Sequence, residues 1–442
     1  MLSLINQKTK IMKNQTLKTM LLILLVIGSV TTVSAQKWPT IGKGFGTAPV
    51  FSPPASGTYY SPSVAFSAVS NVFYTAFIAA NTYELVVMKS SAITGIPGKT
   101  TWTKVGKISI QTNYTAPSIA VNPVTDEPYV ACIDNVKHEY VVQRFDSKQN
   151  MWEHIGFISE KAMDNFLPVL AFKPGSEELY IAFINGTNNA DVVVKKYDKN
   201  SWNSIGKNTI GNSIANIPQT PSGYSIISHR SCSFAFQPNT NEPCIAFVNS
   251  NNYLQVKKLS SVDDNWYDFG ILSSLGKAEA ISWNALAFNP LNNMPYLAYS
   301  VAYSPYGAYK VKVAKGKAGK QLPGTSTPTF IWQDVLSDSL KLYNAASSIT
   351  FAPNTDQLYI TGHHAAGGVY HLKKFNGSNW IELGYQYCQP YMTSTYPLSI
   401  GPECGYNNAR QTPTLVFNTI TGKATLAFSN ELSRMYEIRV EP

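Results

Sequence analysis

The stretch Ser201-Trp202-Asn203-Ser204-Ile205-Gly206 recurs in altered form along the whole chain. It reads as tryptophan, two variable residues, an apolar residue and, in six of its seven copies, glycine. Seven of the eight tryptophans occupy this one slot, at intervals of roughly fifty to sixty-six residues. The other copies begin at Trp38, Trp102, Trp152, Trp266, Trp332 and Trp380. This spacing predicts a fold built from one supersecondary unit used seven times.

Three further segments recur with the same period as the tryptophan motif. Two are short and apolar, as in P-S-V-A-F (62–66) and F-Y-T-A-F (73–77). Turn signals such as N-P-V-T-D-E (122–127) separate them. The third segment alternates and carries basic residues, as in V-V-V-K-K-Y (192–197). Each unit therefore predicts four antiparallel strands.

Seven four-stranded units predict an all-β fold, a seven-bladed β-propeller. The chain stops after the third strand of its last unit, at residues 436–440. We expect residues 38–42, near the N-terminus, to supply the missing tryptophan strand. Pairing this N-terminal strand into the last blade would close the ring and leave no exposed edge there.

The repeats resemble those of secreted bacterial seven-bladed β-propellers, with a Trp-x-x-φ-Gly outer strand similar to that of kelch and tectonin repeats. The resemblance covers residues 36–442 and implies a fold. The double glycines of kelch repeats, the Trp-Asp dipeptide of WD repeats and the Asp-box of sialidases are missing, so it implies no partner or activity.

The N-terminus has the features of a signal peptide. Lys8, Lys10, Lys13 and Lys18 precede the apolar run at residues 20–30, and Val33-Ser34-Ala35 offers a small-residue cleavage site. The run is too short to span a bilayer as a helix. We therefore predict that residues 1–35 are cleaved, that residues 36–442 form one propeller domain, and that the protein is secreted: extracellular, periplasmic or on the cell surface.

The charge of the chain excludes some partners. The formal net charge is +9, but four lysines and no acidic residue lie in residues 1–35, so the remainder carries +5. This excess is mild and forms no dense Lys/Arg cluster. It gives no support for nucleic-acid binding. A glycan or an extracellular protein is the predicted partner, and we expect a monomer with no membrane span.

The five cysteines predict one disulfide and no metal centre. Cys388 and Cys404 lie in one Gly-, Pro- and Tyr-rich insertion, which a disulfide would close in an oxidising compartment. Cys132, Cys232 and Cys244 are expected to be buried free thiols on strands. No Cys or His spacing is typical of a zinc site, and no cofactor is predicted.

Candidate functional residues fall on one face of the predicted ring. Loops between second and third strands and between blades share this face, which we call the top; the turns between first and second strands lie on the opposite face, the bottom. In blade 6 the second strand runs into His363 and His364, and a neutral imidazole there could act as a base. The other top-face candidates are Asp134, His138, Tyr224, His229, Arg230, Tyr303, Tyr306 and Arg410.

Two functions from different classes follow from these candidates. The first is a non-enzymatic module that recognises a glycan or a protein through its Tyr- and Asn-rich top loops. The alternative is a lyase acting on a uronic-acid polysaccharide. In that enzyme His363 or His364 would be the base, Tyr224 the acid, and Arg230 or Arg410 would neutralise the carboxylate. A purely structural surface protein is a third possibility.

Overall fold

The computed structural model confirms a seven-bladed propeller of antiparallel sheets. It describes residues 62–79, 84–92, 100–108, 110, 112, 116–134, 136–162, 167–186, 190–213, 232–251, 253–271, 281–302, 309–321, 328–340, 342, 346–364, 369–386, 414–430 and 435–441.

The strands of blades 1 to 4 follow one another in chain order within each sheet. Blade 1 contains β1 (Ser63–Ser67), β2 (Val72–Ile78), β3 (Leu85–Ser90) and β4 (Trp102–Lys104). Blade 2 contains β5 (Ser118–Val121), β6 (Pro128–Asp134), β7 (Glu139–Asp146) and β8 (Met151–His154). Blade 3 contains β9 (Val169–Phe172), β10 (Leu179–Ile184), β11 (Val192–Tyr197) and β12 (Trp202–Ser204). Blade 4 contains β13 (Ser233–Phe236), β14 (Pro243–Val248), β15 (Leu254–Leu259) and β16 (Trp266–Ile271).

Blades 5 to 7 repeat this order, and the last has three strands within the described residues. Blade 5 contains β17 (Ile281–Phe288), β18 (Pro295–Ala302), β19 (Tyr309–Gln321) and β20 (Pro328–Asp334). Blade 6 contains β21 (Ala346–Phe351), β22 (Leu358–His364), β23 (Val369–Phe375) and β24 (Trp380–Gln386). Blade 7 contains β25 (Thr414–Phe417), β26 (Ala424–Asn430) and β27 (Met435–Val440). The helix of the described residues is one turn, α1 (Ser337–Leu340), and none there is long and apolar enough to cross a membrane.

The second strand of each blade lies in the middle of the sheet and is covered on both faces by neighbouring blades. All seven residues of β2 are buried, and so are all six residues of β10 and β14. This explains the near-continuous apolar runs of these segments, because a strand buried on both faces has no polar side to alternate with.

The turns between first and second strands are specified by residues that tolerate a left-handed backbone. Each contains one residue with a φ between 53° and 70°, where asparagine, aspartate and glycine are favoured. These residues are Asn71, Asp126, Gly175, Asn241, Asn293, Asn354 and Gly422. The turn signals read from the sequence are thus confirmed in all seven blades.

Among the described residues, seven apolar clusters join the blades, one at each seam between successive blades. The seventh joins the last blade to the first: Phe73 and Phe77 of blade 1 pack with Ala427 and Ile438 of blade 7. Thr414 of blade 7 also donates a hydrogen bond from Oγ1 to the carbonyl oxygen of Pro62, at 2.6 Å. The ring is therefore closed by side-chain packing as well as by hydrogen bonding.

The tryptophan motif forms hydrogen bonds between neighbouring blades. Trp152 donates its indole N–H to the carbonyl oxygen of Val105, the apolar motif residue of the preceding blade, at 2.6 Å. The same bond joins three other pairs: Trp202 to Ile155, Trp266 to Ile205, and Trp380 to Val335. Each of these four indoles thus needs the motif of the blade before it, so at these four seams the motif is used twice, once as donor and once as acceptor.

The motif glycine makes room for that indole. Gly206 has a φ of +88°, and a Cβ built on it would lie 2.3 Å from Cδ1 of Trp266. Gly156 has a φ of +63°, and its Cβ would lie 2.7 Å from Cδ1 of Trp202. Both the backbone conformation and the close approach of the indole therefore favour glycine. Blade 5 is the exception, with Leu336 at a φ of 49°.

Two predictions about the chain ends and the cysteines have different outcomes. Cys132 and Cys244 are buried free thiols on β6 and β14, and Cys232 is a buried free thiol directly before β13. The proposed fourth strand of blade 7 (38–42), the signal segment (1–35), and both Cys388 and Cys404 lie outside the described residues. N-terminal strand pairing, cleavage and the disulfide therefore stay predictions.

Candidate functional site

Asp134 and His138 lie together in the tight turn that joins the second and third strands of blade 2. Asp134 Oδ1 accepts hydrogen bonds from the backbone N–H groups of Val136 at 2.9 Å and Lys137 at 3.2 Å. His138 occupies the left-handed position of the turn, with a φ of 54°. The Asp134 side chain is thus used to shape its own turn, as aspartate commonly does in loops.

The other top-face candidates that the structure describes lie on blade 6. His363 and His364 are the last two residues of β22, paired with Tyr370 and Val369 of β23, so the strand extends through both histidines. Six predicted site residues lie outside the described residues: Tyr224, His229, Arg230, Tyr303, Tyr306 and Arg410. Their roles stay predictions.

A groove between blades 2 and 3 opens on the bottom face, and we call it the blade 2–3 groove. Its volume is about 730 Å³. Blade 2 contributes the turn at 122–127, Tyr129, Arg144 and the end of β8. Blade 3 contributes the residues 177–179 and the stretch from 196 to 199. Two rigid sheets thus form the walls, so the groove exists without a ligand.

The blade 2 wall combines an aromatic ring with an ion pair. Tyr129 and Arg144 are cross-strand neighbours in the register of β6 and β7. Arg144 Nη2 lies 2.6 Å from Glu153 Oε2, and both side chains are about one-third exposed. The hydrogen bond to Glu153 raises the pKa of Arg144 above its ordinary value, so the guanidinium stays charged. Burial raises the pKa of Tyr129, so its hydroxyl stays protonated near neutral pH.

The blade 3 wall carries Tyr197 and a turn closed by Asp198. The Tyr197 ring packs on the Trp202 indole, with centroids 5.1 Å apart, and its hydroxyl donates to the carbonyl oxygen of Lys199 at 2.9 Å. Asp198 accepts hydrogen bonds from the backbone N–H groups of Ser201 and Asn200, at 2.7 and 2.8 Å, which lower its pKa to about 2. The carboxylate is therefore ionised throughout the physiological pH range.

His154 is at the edge of this groove but lies on the other face of its strand. Neighbouring residues of a strand point to opposite faces of the sheet. Glu153 reaches Arg144 on the face toward blade 3, so His154 is on the face shared with Trp152, which packs against blade 1. Burial lowers the pKa of His154, so its imidazole is neutral at pH 7. It does not join Arg144 in a catalytic set.

Tyrosine–cation pairs like Tyr129 and Arg144 recur in other blades, a pattern the sequence reading did not use. The equivalent cross-strand pairs are Tyr74–Lys89, Tyr180–Lys196, Tyr296–Lys315 and Tyr359–Lys374. In these four pairs the lysine Nζ lies 5.2 to 5.8 Å from the ring centroid. The sequence does show the basic residues of the third strands. Only the strand register shows which tyrosine lies opposite each of them.

The described residues contain no group of three or more His, Cys, Asp or Glu side chains that could hold a metal ion. His371 Nδ1 lies 3.0 Å from Glu382 Oε2, and Lys373 Nζ lies 3.3 Å from the same carboxylate oxygen. This cluster is on the third and fourth strands of blade 6, away from the blade 2–3 groove.

No protein-family model and no curated protein matches the sequence. Among solved structures, the chain is similar to the polysaccharide lyase Uly1, with 10% identity, a TM-score of 0.50 and coverage of 93% of this chain and 95% of that one. It is also similar to a triple-arginine mutant of AofleA from Arthrobotrys oligospora (11% identity, TM-score 0.47, 78% and 89% coverage). A six-bladed fucose-recognising lectin from Aleuria aurantia is a third (10% identity, TM-score 0.42, 78% and 98% coverage). At these identities the comparisons concern the fold, and the chain itself is an all-β, seven-bladed propeller.

Proposed function

We propose that this protein is a carbohydrate-binding module and that the blade 2–3 groove is its binding site. The observation that carries the proposal is the meeting of two tyrosines, Tyr129 and Tyr197, with the Arg144–Glu153 ion pair in one preformed groove. Tyrosine presents an apolar ring with a polar tip, which suits the mixed surface of a sugar. Guanidinium and carboxylate groups supply the directed hydrogen bonds that fix hydroxyl positions.

The rigidity of the scaffold supports binding. An indole hydrogen bond fixes each wall to the blade before it. Trp152 donates to Val105 of blade 1, and Trp202 donates to Ile155 across the seam that contains the groove. Walls fixed in this way lose little conformational freedom when a ligand binds, so more of the contact energy appears as affinity. A protein partner would instead need a broad contact surface rather than a groove.

The lyase alternative depends on residues other than those of the groove. It requires a histidine base, a tyrosine acid and an arginine that converge on one uronic acid. The groove does not supply this set, because His154 and Arg144 lie on opposite faces of blade 2. The alternative therefore continues to rest on His363 or His364 with Tyr224, Arg230 and Arg410, and purified protein incubated with acidic polysaccharides tests it by the ultraviolet absorbance of an unsaturated product.

A glycan array followed by titration calorimetry tests the proposed site. We expect at least one saccharide to bind, and Tyr197→Ala and Arg144→Gln each to weaken that binding about tenfold or more. The matched controls occupy equivalent positions in blade 6: Phe375, which contacts Trp380 as Tyr197 contacts Trp202, and Lys374, which pairs with Tyr359. Phe375→Ala and Lys374→Gln should leave binding unchanged. Equal losses in all four variants, or an array without any binding, would refute the groove as the site.

The proposal also includes export. An extracellular glycan is reachable only by a protein that leaves the cytoplasm, which the N-terminal segment predicts. N-terminal sequencing of protein recovered outside the cytoplasm should begin at Gln36.

A further inference from the structure

The blade 2–3 groove is negatively charged on a chain that is positively charged as a whole. Its lining contains three cationic side chains, Arg144, Lys196 and Lys199, and five carboxylates. The carboxylates are Glu127, Glu153, Glu177, Glu178 and Asp198. With His154 neutral, the lining therefore carries a net charge of two negative units, against +9 for the chain. Lys173 pairs with Glu178 from outside the groove, at 3.4 Å, and does not reverse the sign.

Every cation of the lining is already paired with a carboxylate. Arg144 pairs with Glu153 at 2.6 Å. Lys196 pairs with Glu178 at 3.1 Å, and Lys199 with Glu177 at 3.7 Å. An incoming anion would have to compete with these carboxylates for each cation. It would also meet the two acidic side chains that remain.

Glu127 and Asp198 are those two remaining carboxylates, one on each wall. Neither forms an ion pair within the part of the chain that the structure describes. Glu127 accepts a hydrogen bond from the Thr125 hydroxyl at 3.3 Å, and Asp198 accepts its bonds from neutral turn groups. Both therefore carry negative charge that no direct ion pair neutralises, although Glu127 also interacts electrostatically with Arg144. The Tyr197 ring also lines the groove, and an aromatic face attracts cations.

We propose that the groove selects saccharides that carry free protonated amines over saccharides that carry carboxylates or sulfates. This inference rests on the proposed carbohydrate-binding function and adds the class of sugar. An ammonium group gains attraction from Glu127 and Asp198 without displacing an existing pair. A uronic acid or sulfate gains none and is repelled. Non-specific attraction by the basic chain would produce the opposite preference, so the two effects can be told apart.

The test compares three oligosaccharide families of equal length: glucosamine oligomers, N-acetylglucosamine oligomers and galacturonate oligomers. Binding is measured by calorimetry at pH 6, in low salt and in 1 M salt. We expect glucosamine oligomers to bind about threefold to tenfold more tightly than the acetylated ones, because partly exposed ion pairs contribute modestly. High salt should remove most of this advantage, since it screens exposed charges. Galacturonate oligomers should bind most weakly.

Charge-neutral variants assign the preference to the two carboxylates. Asp198→Asn and Glu127→Gln should each reduce the advantage of glucosamine oligomers and leave the affinity for acetylated oligomers nearly unchanged. Asp146 provides the matched control: it closes the equivalent turn of blade 2 through the N–H groups of Lys148 and Gln149, at 2.7 and 3.1 Å, and does not line the groove. Asp146→Asn should therefore not alter the preference.

The outcomes separate this inference from the function on which it rests. Equal affinity for aminated and acetylated oligomers, or tighter binding of galacturonate, would overturn the inference while carbohydrate binding stands. A preference for amines that survives both Asp198→Asn and Glu127→Gln would also overturn it. If no saccharide of any class binds, the proposed function fails together with the inference.

Discussion

The indole nitrogen of Trp202 donates a hydrogen bond to the carbonyl oxygen of Ile155, at 2.8 Å, and so joins blade 3 to blade 2. Trp202 is 5% exposed and packs in the apolar cluster of the same seam. The bond is thus formed in a dry environment, where an unpaired donor or acceptor is costly. One side chain combines apolar burial with a directed bond between two separate sheets.

Replacing Trp202 should destabilise the protein more than replacing Trp332. Trp332 is buried, but its Nε1 has no hydrogen-bond partner within the described residues. Trp202→Phe removes a hydrogen bond of about 1 kcal/mol to the Ile155 carbonyl oxygen, in addition to the lost packing. Trp332→Phe loses packing but removes an unsatisfied donor. Urea unfolding followed by circular dichroism should show the larger loss for Trp202→Phe; the reverse order would mean that the hydrogen bond is not what holds the seam.

Gly206→Ala should be strongly destabilising, and Gly175→Ala should not. Both glycines have positive φ, +88° and +68°, so both substitutions pay a conformational cost of about 1–2 kcal/mol. Only at Gly206 would the added Cβ clash with a neighbour, the Trp266 indole, whereas nothing lies within 4 Å at Gly175. The additional clash should make the loss in free energy of unfolding larger for Gly206→Ala by about 1–3 kcal/mol. Thermal unfolding of the two variants side by side measures the difference.

The cysteines should give a distinctive thiol count. Cys132, Cys232 and Cys244 are at most 1% exposed, and burial raises the pKa of Cys132 and of Cys232 to about 12. A buried, protonated thiol does not react with a disulfide reagent. We expect no reactive thiol in the native protein, three in denaturant without reductant, and five after reduction. Five without reduction would disprove the Cys388–Cys404 disulfide.

The same thiols predict a loss of stability at alkaline pH. Their pKa is higher in the folded than in the unfolded protein, so the folded state binds the proton more tightly. The stabilisation is complete below the unfolded pKa, near 8.5, and declines as the pH rises toward the folded value of about 12. The midpoint of urea unfolding should fall between pH 8.5 and 11. A Cys132→Ala, Cys232→Ala variant should show a shallower fall.

The N-terminal strand can be tested by truncation. Blade 7 has three described strands, and its outer strand β27 would otherwise present an unpaired edge. If residues 38–42 complete the blade, a protein starting at residue 43 should unfold at a lower temperature and associate through the exposed edge. Trp38→Ala should reproduce part of the destabilisation. An unchanged melting temperature for both would contradict this closure.

The fold of this protein can be predicted from its sequence repeat alone. Strand order, blade number and turn positions follow from local patterns, because each blade is a contiguous segment whose turns are set by residues such as Asn122 and Asp126. The role of the motif tryptophan could not be read in this way. Its partner is some fifty residues earlier in the chain, and only packing of one sheet on the next brings Trp202 to Ile155.

The candidate site was decided by tertiary structure. Sequence reasoning pointed to histidines and arginines in long top loops, since loops often carry recognition residues. The groove is instead lined by Tyr129 and Arg144 of one blade and by Tyr197 and Asp198 of the next. It opens on the bottom face of the ring, opposite the top loops. Each of these residues looks like an ordinary strand or turn residue when taken alone. Strand register selects the face on which each side chain lies, and seam packing sets two such faces against each other, which no local pattern records.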